Sequence, residues 1–543
     1  MSNGSESTRN TYDAIVVGAG FAGLYMLHRL RKQGLKVRIL EQASGVGGTW
    51  FWNAYPGARC DVESMEYSYK FDEELQQEWE WSERFSAQPE ILSYLNHVAD
   101  RFNLRPDIQF NTKVTSADYD ERAKRWRVGT ESGEAFTARY FIAATGCLSV
   151  PSFPKYPGQE RFKGEIYYTG TYPHEGVNYA GKRVAVIGTG SSGIQAIPII
   201  AEQSGHLTVF QRTPNFSVPA ANRPLVADEI AKVKVDYPAF RARNLEQEFA
   251  FNVYVNNKSA LEVTPEERKR ELERRWNGFG GLQFYGAFND LLFNPKANDA
   301  AADFIRDKIH EIVKDPKVAE KLLPSDHPVG CKRLCSDTGY YQTFNRDNVD
   351  LVDVRETPIV EITENGIRYG DQVLEVDIIV YATGFDAITG ALMRMNIHGR
   401  DGVSLNERWE HGAQTFLGIQ TAGFPNLFMI TGPGSPSVLT NMVMSIEDHV
   451  DWVSNCVAFL DREGVASIEP TEANQEAWME EVNAVASPTL FTGCNSWYQG
   501  SNIPGKPRSF TAYVGFPAYR KKIAKFAEDG YTAFKLEKKL VAA

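Results

Sequence analysis

The sequence predicts an α/β protein that contains two Rossmann-like units and a helical insertion. Two glycine-rich stretches point to the paired units: DAIVVGAGFAGLY, at residues 13–25, and KRVAVIGTGSSGIQ, at residues 182–195. Each stretch follows a short apolar run and opens a helical pattern, and in that context a GxGxxG motif predicts a βαβ unit. The third observation is a helical, charged block at residues 225–325.

The first unit is predicted to contain a strand, a helix and a second strand, in that order. Residues 12–17 form an apolar run that predicts a buried parallel strand. The leucines of residues 24–30 recur at helical spacing, and residues 36–40 predict the next strand, which ends at Glu41. This segment is therefore expected to form one complete βαβ unit.

The second unit repeats this order at residues 183–210, where isoleucines at helical spacing separate two apolar runs. The inserted block begins a helix at Thr264, because Thr264 is a suitable N-cap, Pro265 suits the first helical position and Glu267 completes a capping box. The block is therefore expected to be a helical insertion in the second nucleotide-binding domain.

Composition and charge exclude several classes of function. A chain of 543 residues is too long for one core, and its net charge of −11 disfavours a nucleic-acid or anionic-membrane partner. No apolar run reaches the length of a bilayer span, and the polar start MSNGSESTRN does not resemble a signal peptide. The expected location is cytoplasmic.

The six cysteines and nine histidines do not predict a metal site. The closest cysteine pair, Cys331 and Cys335, has neither zinc nor dithiol-redox spacing, and there is no HExxH motif. All six cysteines are expected to be reduced thiols, as is usual in a cytosolic protein.

The glycines of both motifs allow a tight turn, close approach of the backbone to a pyrophosphate, and close packing of the helix. They are Gly18, Gly20 and Gly23 in the first motif, and Gly188, Gly190 and Gly193 in the second.

The two motifs differ at the end of the second strand, 23 positions after the first glycine, where the residues are Glu41 and Gln211. A carboxylate binds a free ribose diol and repels a 2′-phosphate, so the first site is predicted to bind FAD or NAD. Gln211 removes that repulsion, and Arg212 and Thr213 add donors, so the second site is predicted to bind NADPH. Two nicotinamides have no chemistry together, whereas a flavin accepts hydride from NADPH. FAD is therefore assigned to the first motif.

Reduced flavin can pass its electrons to a disulfide, to a protein partner or to oxygen. The FAD half contains only isolated cysteines, which disfavours a disulfide reductase. Oxygen is therefore the leading acceptor.

The stretch GGTWFWNAYPGARCD, residues 47–61, resembles the fingerprint of the Baeyer–Villiger monooxygenases, flavoenzymes that insert oxygen beside a ketone carbonyl. The matching residues are Gly47, Gly48, Trp50, Tyr55, Pro56, Gly57 and Asp61. The resemblance covers about residues 12–534 and includes QPEIL, QRTP, CKRL, YATGFDAITG and SWYQGSNIPGKPR. It is strongest to the phenylacetone and steroid monooxygenase branch, whose members are commonly monomers.

The resemblance implies the catalytic roles. Arg333 matches the active-site arginine, which stabilises negative charge on a flavin C4a-peroxide and then on the Criegee adduct with the ketone. Asp61 matches the aspartate that pairs with this arginine and positions it. The implied reaction converts a ketone to an ester or lactone with NADPH and O2, and sulfoxidation is an expected side activity.

The resemblance also implies binding residues. Lys332 is expected near the 2′-phosphate beside Arg212 and Thr213, and Trp497 is expected to hydrogen-bond the nicotinamide nucleotide. Further expected cofactor contacts are Gly48, Thr49, Trp50, Asp61, Tyr67 and Ser191. The expected substrate pocket consists of Gln88, Val62, Leu439 and Met442.

The two cofactor domains are expected to be discontinuous in sequence. The predicted partition is a flexible tail at 1–10, the FAD domain at 11–150 and 386–543, the NADPH domain at 151–224 and 326–385, and the helical insertion at 225–325.

The linker FKGEIYYTGTYP departs from the family pattern, because Tyr168 and Tyr172 replace a histidine and a tryptophan. Flavin monooxygenases that oxidise amines and sulfides also carry an aromatic residue at the position of Tyr172. Two alternatives therefore stay open: an N- or S-oxygenating flavin monooxygenase, and a redox sensor that binds FAD and NADPH without productive oxygenation.

Overall fold

The computed structural model describes residues 10–501 and 504–539. Its strands, in chain order, are β1 (Thr11–Val17), β2 (Val37–Leu40), β3 (Ile108–Gln109), β4 (Val114–Asp120), β5 (Arg125–Thr130), β6 (Ala135–Ala143), β7 (Glu165–Tyr168), β8 (Arg183–Ile187), β9 (His206–Gln211), β10 (Ser217–Pro219), β11 (Cys335–Asp337), β12 (Val349–Asp353), β13 (Ile359–Thr363), β14 (Gly366–Tyr369), β15 (Gln372–Glu375), β16 (Ile378–Tyr381), β17 (Ile397–His398), β18 (Leu427–Met429), β19 (Val465–Pro470) and β20 (Phe534–Lys538).

The α-helices alternate with these strands in both nucleotide-binding units. They are α1 (Phe21–Lys32), α2 (Thr49–Trp52), α3 (Glu73–Glu78), α4 (Gln88–Arg101), α5 (Ser191–Gln203), α6 (Ala227–Val235), α7 (Tyr237–Leu245), α8 (Pro265–Arg274), α9 (Pro295–Ile312), α10 (Pro316–Leu322), α11 (Tyr340–Thr343), α12 (Gly390–Met393), α13 (Leu405–Arg408), α14 (Met442–Arg462), α15 (Glu472–Ala486) and α16 (Phe516–Glu528).

The first sheet has the strand order β17-β4-β5-β6-β1-β2-β3, and β18 also pairs with β6. β1 lies parallel between β2 and β6, with Val16 opposite Ile39 and Ile142. These residues are fully buried in a core cluster that also contains Leu24 and Leu27 of α1. The helix α1 follows β1 directly and packs against α14, so the first glycine loop lies at the carboxyl edge of a buried strand.

The second sheet has the order β12-β9-β8-β16-β7, and all of its pairings are parallel. Val186 in β8 lies opposite Val209 and Val380. The antiparallel strands β13, β14 and β15 form a separate small sheet. The predicted α/β architecture with two Rossmann-like units is confirmed.

The third glycine of each motif is required by helix packing. A Cβ atom on Gly23 would lie 1.8 Å from the Gly18 carbonyl oxygen, and one on Gly193 would lie 2.2 Å from that of Gly188. Neither gap admits a carbon atom, so each helix can begin this close to its strand only with glycine here.

The insertion consists of helices α6 to α10, which connect β10 to β11, and these two strands pair in parallel. Its capping box has the predicted form: Thr264 Oγ accepts from the Glu267 N–H at 3.2 Å, and Glu267 Oε2 accepts from the Thr264 N–H at 3.1 Å. Trp276, Phe284 and Phe304 are buried within it.

The strands of the first sheet fall within 11–150 and 386–543, and those of the second within 151–224 and 326–385. The exact domain boundaries stay predictions. Of the predicted flexible tail, residues 1–9 lie outside the described residues, and Asn10 donates a hydrogen bond to the Ala135 carbonyl at 3.2 Å.

The expectation of six reduced cysteines is wrong for two of them. Cys331 and Cys494 form a disulfide with a Cα–Cα distance of 6.1 Å, although 163 residues separate them in sequence. Spacing along the chain cannot reveal a contact that only the fold creates. Cys60, Cys147, Cys335 and Cys456 are buried free thiols.

In the described part of the chain, no helix combines the length and the apolar character that a membrane crossing requires.

Candidate active site

One cavity of about 1610 Å³ extends from the first glycine loop to the second. Gly18 and Gly20 line one end, Gly188 and Gly190 line the other, and Arg333 contributes to the wall. The carboxyl ends of β1 and β8 both open into this space, which is where parallel α/β sheets bind ligands. Two dinucleotides could therefore meet within a single enclosure.

Glu41 lies at the first end of the cavity, and the backbone holds its side chain in place. Its Oε2 accepts from the Ala19 N–H at 2.6 Å, and its Oε1 accepts from the Ala43 N–H at 2.7 Å. Burial raises the pKa of Glu41, and these backbone hydrogen bonds oppose the rise. Each carboxylate oxygen has a second lone pair, so Glu41 can still accept from a ribose diol.

Apart from Gly23, which packs against the Gly18 carbonyl, the remaining residues predicted to contact FAD also line the cavity. The Trp50 indole N–H donates to the Tyr67 hydroxyl at 3.2 Å, and burial raises the pKa of Tyr67. Gly48 approaches the first loop so closely that a Cβ atom on it would lie 3.0 Å from the Gly20 Cα. The other lining residues predicted here are Thr49 and Asp61.

The predicted 2′-phosphate site is cationic. Arg212, Thr213 and Lys332 all line the cavity beyond the second loop, as does Ser191 at the start of α5. Burial lowers the pKa of Lys332, and the neighbouring charge of Arg212 lowers it further. Several cations held near one another here would suit a phosphate dianion.

The Gln211 side chain turns away from this site. It is fully buried, and its Nε2 donates to the Lys321 carbonyl at 2.7 Å. The strand end therefore presents no carboxylate to repel a 2′-phosphate.

The cavity fits two dinucleotides on further grounds. A Cβ atom on Gly190 would meet nothing within 4 Å, so the second loop faces open space of the kind that a pyrophosphate requires. Among the described residues that line the cavity, Asn215 Oδ1 and Ser496 Oγ are buried without a hydrogen-bond partner. Buried polar atoms are seldom left unpaired, so both are candidates to bind a ligand.

Asp61 and Arg333 form a bidentate ion pair on the cavity wall. Arg333 Nε lies 2.6 Å from Asp61 Oδ2, and Nη2 lies 2.8 Å from Oδ1. Nη1 donates to the Val438 carbonyl at 2.8 Å, which fixes the plane of the guanidinium. Burial alone would lower the pKa of Arg333, but the Asp61 carboxylate outweighs it and raises that pKa well above its ordinary value. The charge of this arginine is therefore permanent.

Two of the four predicted pocket residues line the cavity, namely Val62 and Met442. Gln88 and Leu439 do not line it, and their assignment to the substrate pocket stays a prediction. The Gln88 amide donates to the Trp50 carbonyl, so this side chain supports the FAD end instead. Leu439 is buried in a core cluster with Val438 and Phe491. Trp497 lines the cavity, and its hydrogen bond to the nicotinamide nucleotide stays a prediction.

The unusual linker tyrosines lie behind the cavity rather than in it. Tyr168 stacks on Tyr381 with ring centroids 5.1 Å apart, and the Tyr172 hydroxyl hydrogen-bonds the Tyr179 hydroxyl. Gly170 and Thr171, between the two tyrosines, contribute the lining. The two tyrosines that depart from the family pattern therefore affect how the linker packs behind the cavity. The Asp61–Arg333 ion pair does not involve either tyrosine.

Arg355, which was not predicted, lies near enough to lower the pKa of Lys332, although it is ion-paired to Asp353 at 2.6 Å and does not line the cavity. The strands β9 and β12 are parallel neighbours, with Gln211 opposite Asp353, so Arg212 and Arg355 follow adjacent strand ends. A basic residue just after each of two neighbouring parallel strands was the available signal.

Comparison with known proteins accounts for this arrangement. The family model described as pyridine nucleotide-disulphide oxidoreductase matches residues 15–250. A Baeyer–Villiger monooxygenase of Pseudooceanicola batsensis is 45% identical over 526 residues, which is 96% of this chain and 96% of that protein.

The chain belongs to the Baeyer–Villiger monooxygenase family.

Other relatives extend the comparison. Phenazine N-monooxygenase PhzNO1 of Lysobacter antibioticus is 42% identical and covers 97% of this chain and 98% of its own. The solved structure of an oxidised steroid monooxygenase bound to NADP has a TM-score of 0.93 and 52% identity, and it covers 97% of this chain and 100% of that one. The resemblance drawn from the fingerprint and the CKRL motif is confirmed for this monooxygenase.

The glycines of the second loop make a matched pair for mutation. Gly190→Ala places a methyl group in open cavity space, so we expect normal folding and NADP⁺ affinity reduced by about tenfold or more, because the backbone can no longer approach the pyrophosphate. Gly193→Ala is expected to reduce folded yield instead, because its Cβ atom would lie 2.2 Å from the Gly188 carbonyl oxygen. Calorimetric titration and thermal unfolding separate the two outcomes. Equal effects of both substitutions on stability would contradict these roles.

Proposed function

We propose that this monooxygenase converts an apolar ketone to the corresponding ester or lactone, with FAD, NADPH and O2. The observation that carries the proposal is Arg333, held by Asp61 on the wall of a cavity that both glycine loops share. FAD, when bound, supplies hydride acceptance from NADPH and the activation of oxygen. Gly18, Gly20 and Glu41 would hold FAD, and Gly188, Gly190 and Arg212 would hold NADPH.

Arg333 would stabilise the negative charge that develops during oxygen transfer. A guanidinium has five N–H donors, and three of them are committed to Asp61 and Val438. Two donors therefore remain, one for the hydroxyl of the neighbouring Tyr498 and one for an anionic oxygen in the cavity. Arg333 cannot act as a base, because it does not lose its proton in a protein. It contributes a fixed positive charge that is already in place where negative charge develops during the reaction.

The apolar part of the lining supports a ketone rather than a charged substrate. Val62, Val438, Met442 and Ile446 line the same cavity as Arg333. Apolar walls with a small number of placed polar or charged groups are typical of sites that bind and orient small apolar ligands.

A monomeric state and a cytoplasmic location are further proposals. The net charge of −11 supports the monomeric state, because charge far from zero favours an unassociated chain. Light scattering after size-exclusion chromatography tests the first, and cell fractionation tests the second.

The reaction is tested by incubating the purified holoenzyme with NADPH, O2 and a panel of cyclic, linear and aryl ketones. We expect ester or lactone formed in proportion to NADPH and O2 consumed for at least one apolar ketone. The panel includes amines, sulfides and an aromatic N-heterocycle, since one relative is named for N-oxygenation. N-oxide or sulfoxide products without ester from any ketone would overturn the proposal.

Loss of the Arg333 charge is expected to abolish oxygen transfer while both cofactors still bind. Arg333→Ala should lower the rate of ester formation by about 10²–10³-fold, the usual effect of removing a group that stabilises developing charge. Arg139→Ala is the matched control, because Arg139 is also largely buried and ion-paired, to Asp461, but does not line the cavity. Product analysis by gas chromatography measures both variants. An Arg333→Ala enzyme that keeps most of its ester formation would refute the assignment.

The preference for NADPH over NADH is expected to depend on Arg212 and Lys332. Arg212→Ala should raise KM for NADPH by about tenfold and leave that for NADH nearly unchanged, because only NADPH carries the 2′-phosphate. Affinity for NADPH should also fall as pH rises through the lowered pKa of Lys332, since the neutral amine no longer attracts phosphate. Steady-state kinetics with both nucleotides at several pH values measure these effects. Equal losses for NADH and NADPH would contradict a 2′-phosphate site here.

A further inference from the structure

The disulfide joins the two chain segments on which the proposed chemistry depends. Cys331 precedes Lys332 and Arg333 directly, and Cys494 lies three residues before Trp497. We call residues 494–501 the tethered segment. Asn495, Ser496 and Trp497 of this segment line the same cavity as Lys332 and Arg333. The covalent bond therefore connects the wall that carries the proposed catalytic cation to the wall that carries Trp497.

The tethered segment has little regular secondary structure, and its backbone is bonded to the following chain at Tyr498, whose carbonyl accepts from the Thr511 N–H and hydroxyl at 3.3 and 3.1 Å. Between the end of α15 at Ala486 and the start of α16 at Phe516, the described residues contain only two short 3₁₀ turns, Leu490–Thr492 and Trp497–Gln499. Within the segment, the Ser496 carbonyl accepts from the Gln499 and Ser501 N–H groups at 3.0 and 3.3 Å. A stretch with so little regular structure opens at low free-energy cost unless something else restrains it.

The disulfide restrains a segment that contains Tyr498, a residue adjacent to Arg333. Tyr498 is buried, and its ring lies 4.3 Å from that of Trp497 between centroids. Burial raises the pKa of Tyr498 to about 12, and the adjacent Arg333 guanidinium opposes the rise. The tethered segment therefore places Tyr498 against the same guanidinium that Asp61 orients.

The two sulfurs of the disulfide differ in their exposure to a reductant in solution. The buried free thiols are not expected to react with that reductant or with the disulfide. Cys331 is fully buried, whereas Cys494 is partly exposed, so a reductant reaches the bond from the Cys494 side. Burial raises the pKa of Cys335 to about 12 and also raises the pKa of Cys60 and Cys147, which keeps these thiols protonated and unreactive. Thiol exchange near the cavity is therefore restricted to this bond.

We propose that the Cys331–Cys494 disulfide is a positioning element that holds the tethered segment, with Trp497 and Tyr498, against the Arg333 wall, and that its reduction weakens NADP⁺ retention and uncouples NADPH oxidation from oxygen transfer. The inference rests on the proposed function for its effect on coupling. The expected effects of reduction on the tethered segment and on NADP⁺ affinity do not depend on ketone oxidation.

Reduction requires a dithiol, which supplies two electrons. One thiolate of the dithiol attacks Cys494 Sγ, the S–S bond breaks, and Cys331 Sγ leaves as a thiolate that takes up a proton. The second thiol of the dithiol then displaces Cys494 from the mixed disulfide. The products are two protein thiols and the oxidised, cyclic dithiol.

The test compares the holoenzyme before and after treatment with dithiothreitol, which is removed by desalting before measurement. Alkylation and mass spectrometry should find Cys331 and Cys494 blocked before treatment and alkylated after it. We expect backbone amides of residues 494–501 to exchange hydrogen about fivefold faster after reduction, and NADP⁺ to bind about five- to tenfold more weakly by calorimetry. More hydrogen peroxide should form per NADPH oxidised with a ketone substrate. Oxidised glutathione, which accepts the two electrons and leaves as two molecules of glutathione, should reverse all of these changes.

Two variants separate this role from a general effect of reduction. Cys494→Ser should show the weak NADP⁺ affinity without dithiothreitol and should not respond to it further. Cys456→Ala, which removes a buried free thiol outside the cavity, should keep the full response of the unmodified enzyme.

The proposal is overturned if the air-exposed holoenzyme has free thiols at both positions, or if reduction leaves hydrogen exchange and NADP⁺ affinity unchanged. Failure to oxidise any ketone would overturn the proposed function instead, because neither the exchange nor the titration measurement uses a ketone.

Discussion

The bidentate pair between Asp61 and Arg333 is the constraint on which the proposed active site depends. Two parallel hydrogen bonds and a third to the Val438 carbonyl fix the guanidinium in one plane. Asp61 comes from the first Rossmann-like unit and Arg333 from the loop just before β11, so the pair also fixes how these two parts of the chain meet. A charge that can neither rotate freely nor lose its proton is organised before a substrate arrives, and it needs no rearrangement during the reaction.

The two sheets explain why such a pair can face both cofactors. In each sheet the strand that precedes the glycine loop lies between parallel neighbours, so both loops open at carboxyl strand ends. The cavity that joins them is lined at one end by a buried carboxylate, Glu41, and at the other by the cations Arg212 and Lys332. This electrostatic difference favours a free ribose at one end and a phosphorylated ribose at the other.

Local features of the fold could be predicted from the sequence, because their causes are local. The βαβ units followed from glycine spacing and apolar runs, and the start of α8 followed from its capping box. The Asp61–Arg333 pairing came only from family resemblance, since 272 residues separate its members. The disulfide and the burial of Leu439 in a core cluster could not be predicted, because residue spacing does not determine which side chains meet in the fold.

The central claim is that Asp61 acts on oxygen transfer through Arg333, and a double-mutant cycle on the rate of ester formation tests this most directly. The cycle compares the Asp61→Ala and Arg333→Ala single variants with the double variant in the reduced, NADP⁺-bound enzyme. If Asp61 acts by orienting Arg333, the double variant should be no slower than Arg333→Ala alone, because the partner to be positioned is already absent. Strictly multiplicative losses, with each substitution slowing the reaction independently of the other, would contradict the account.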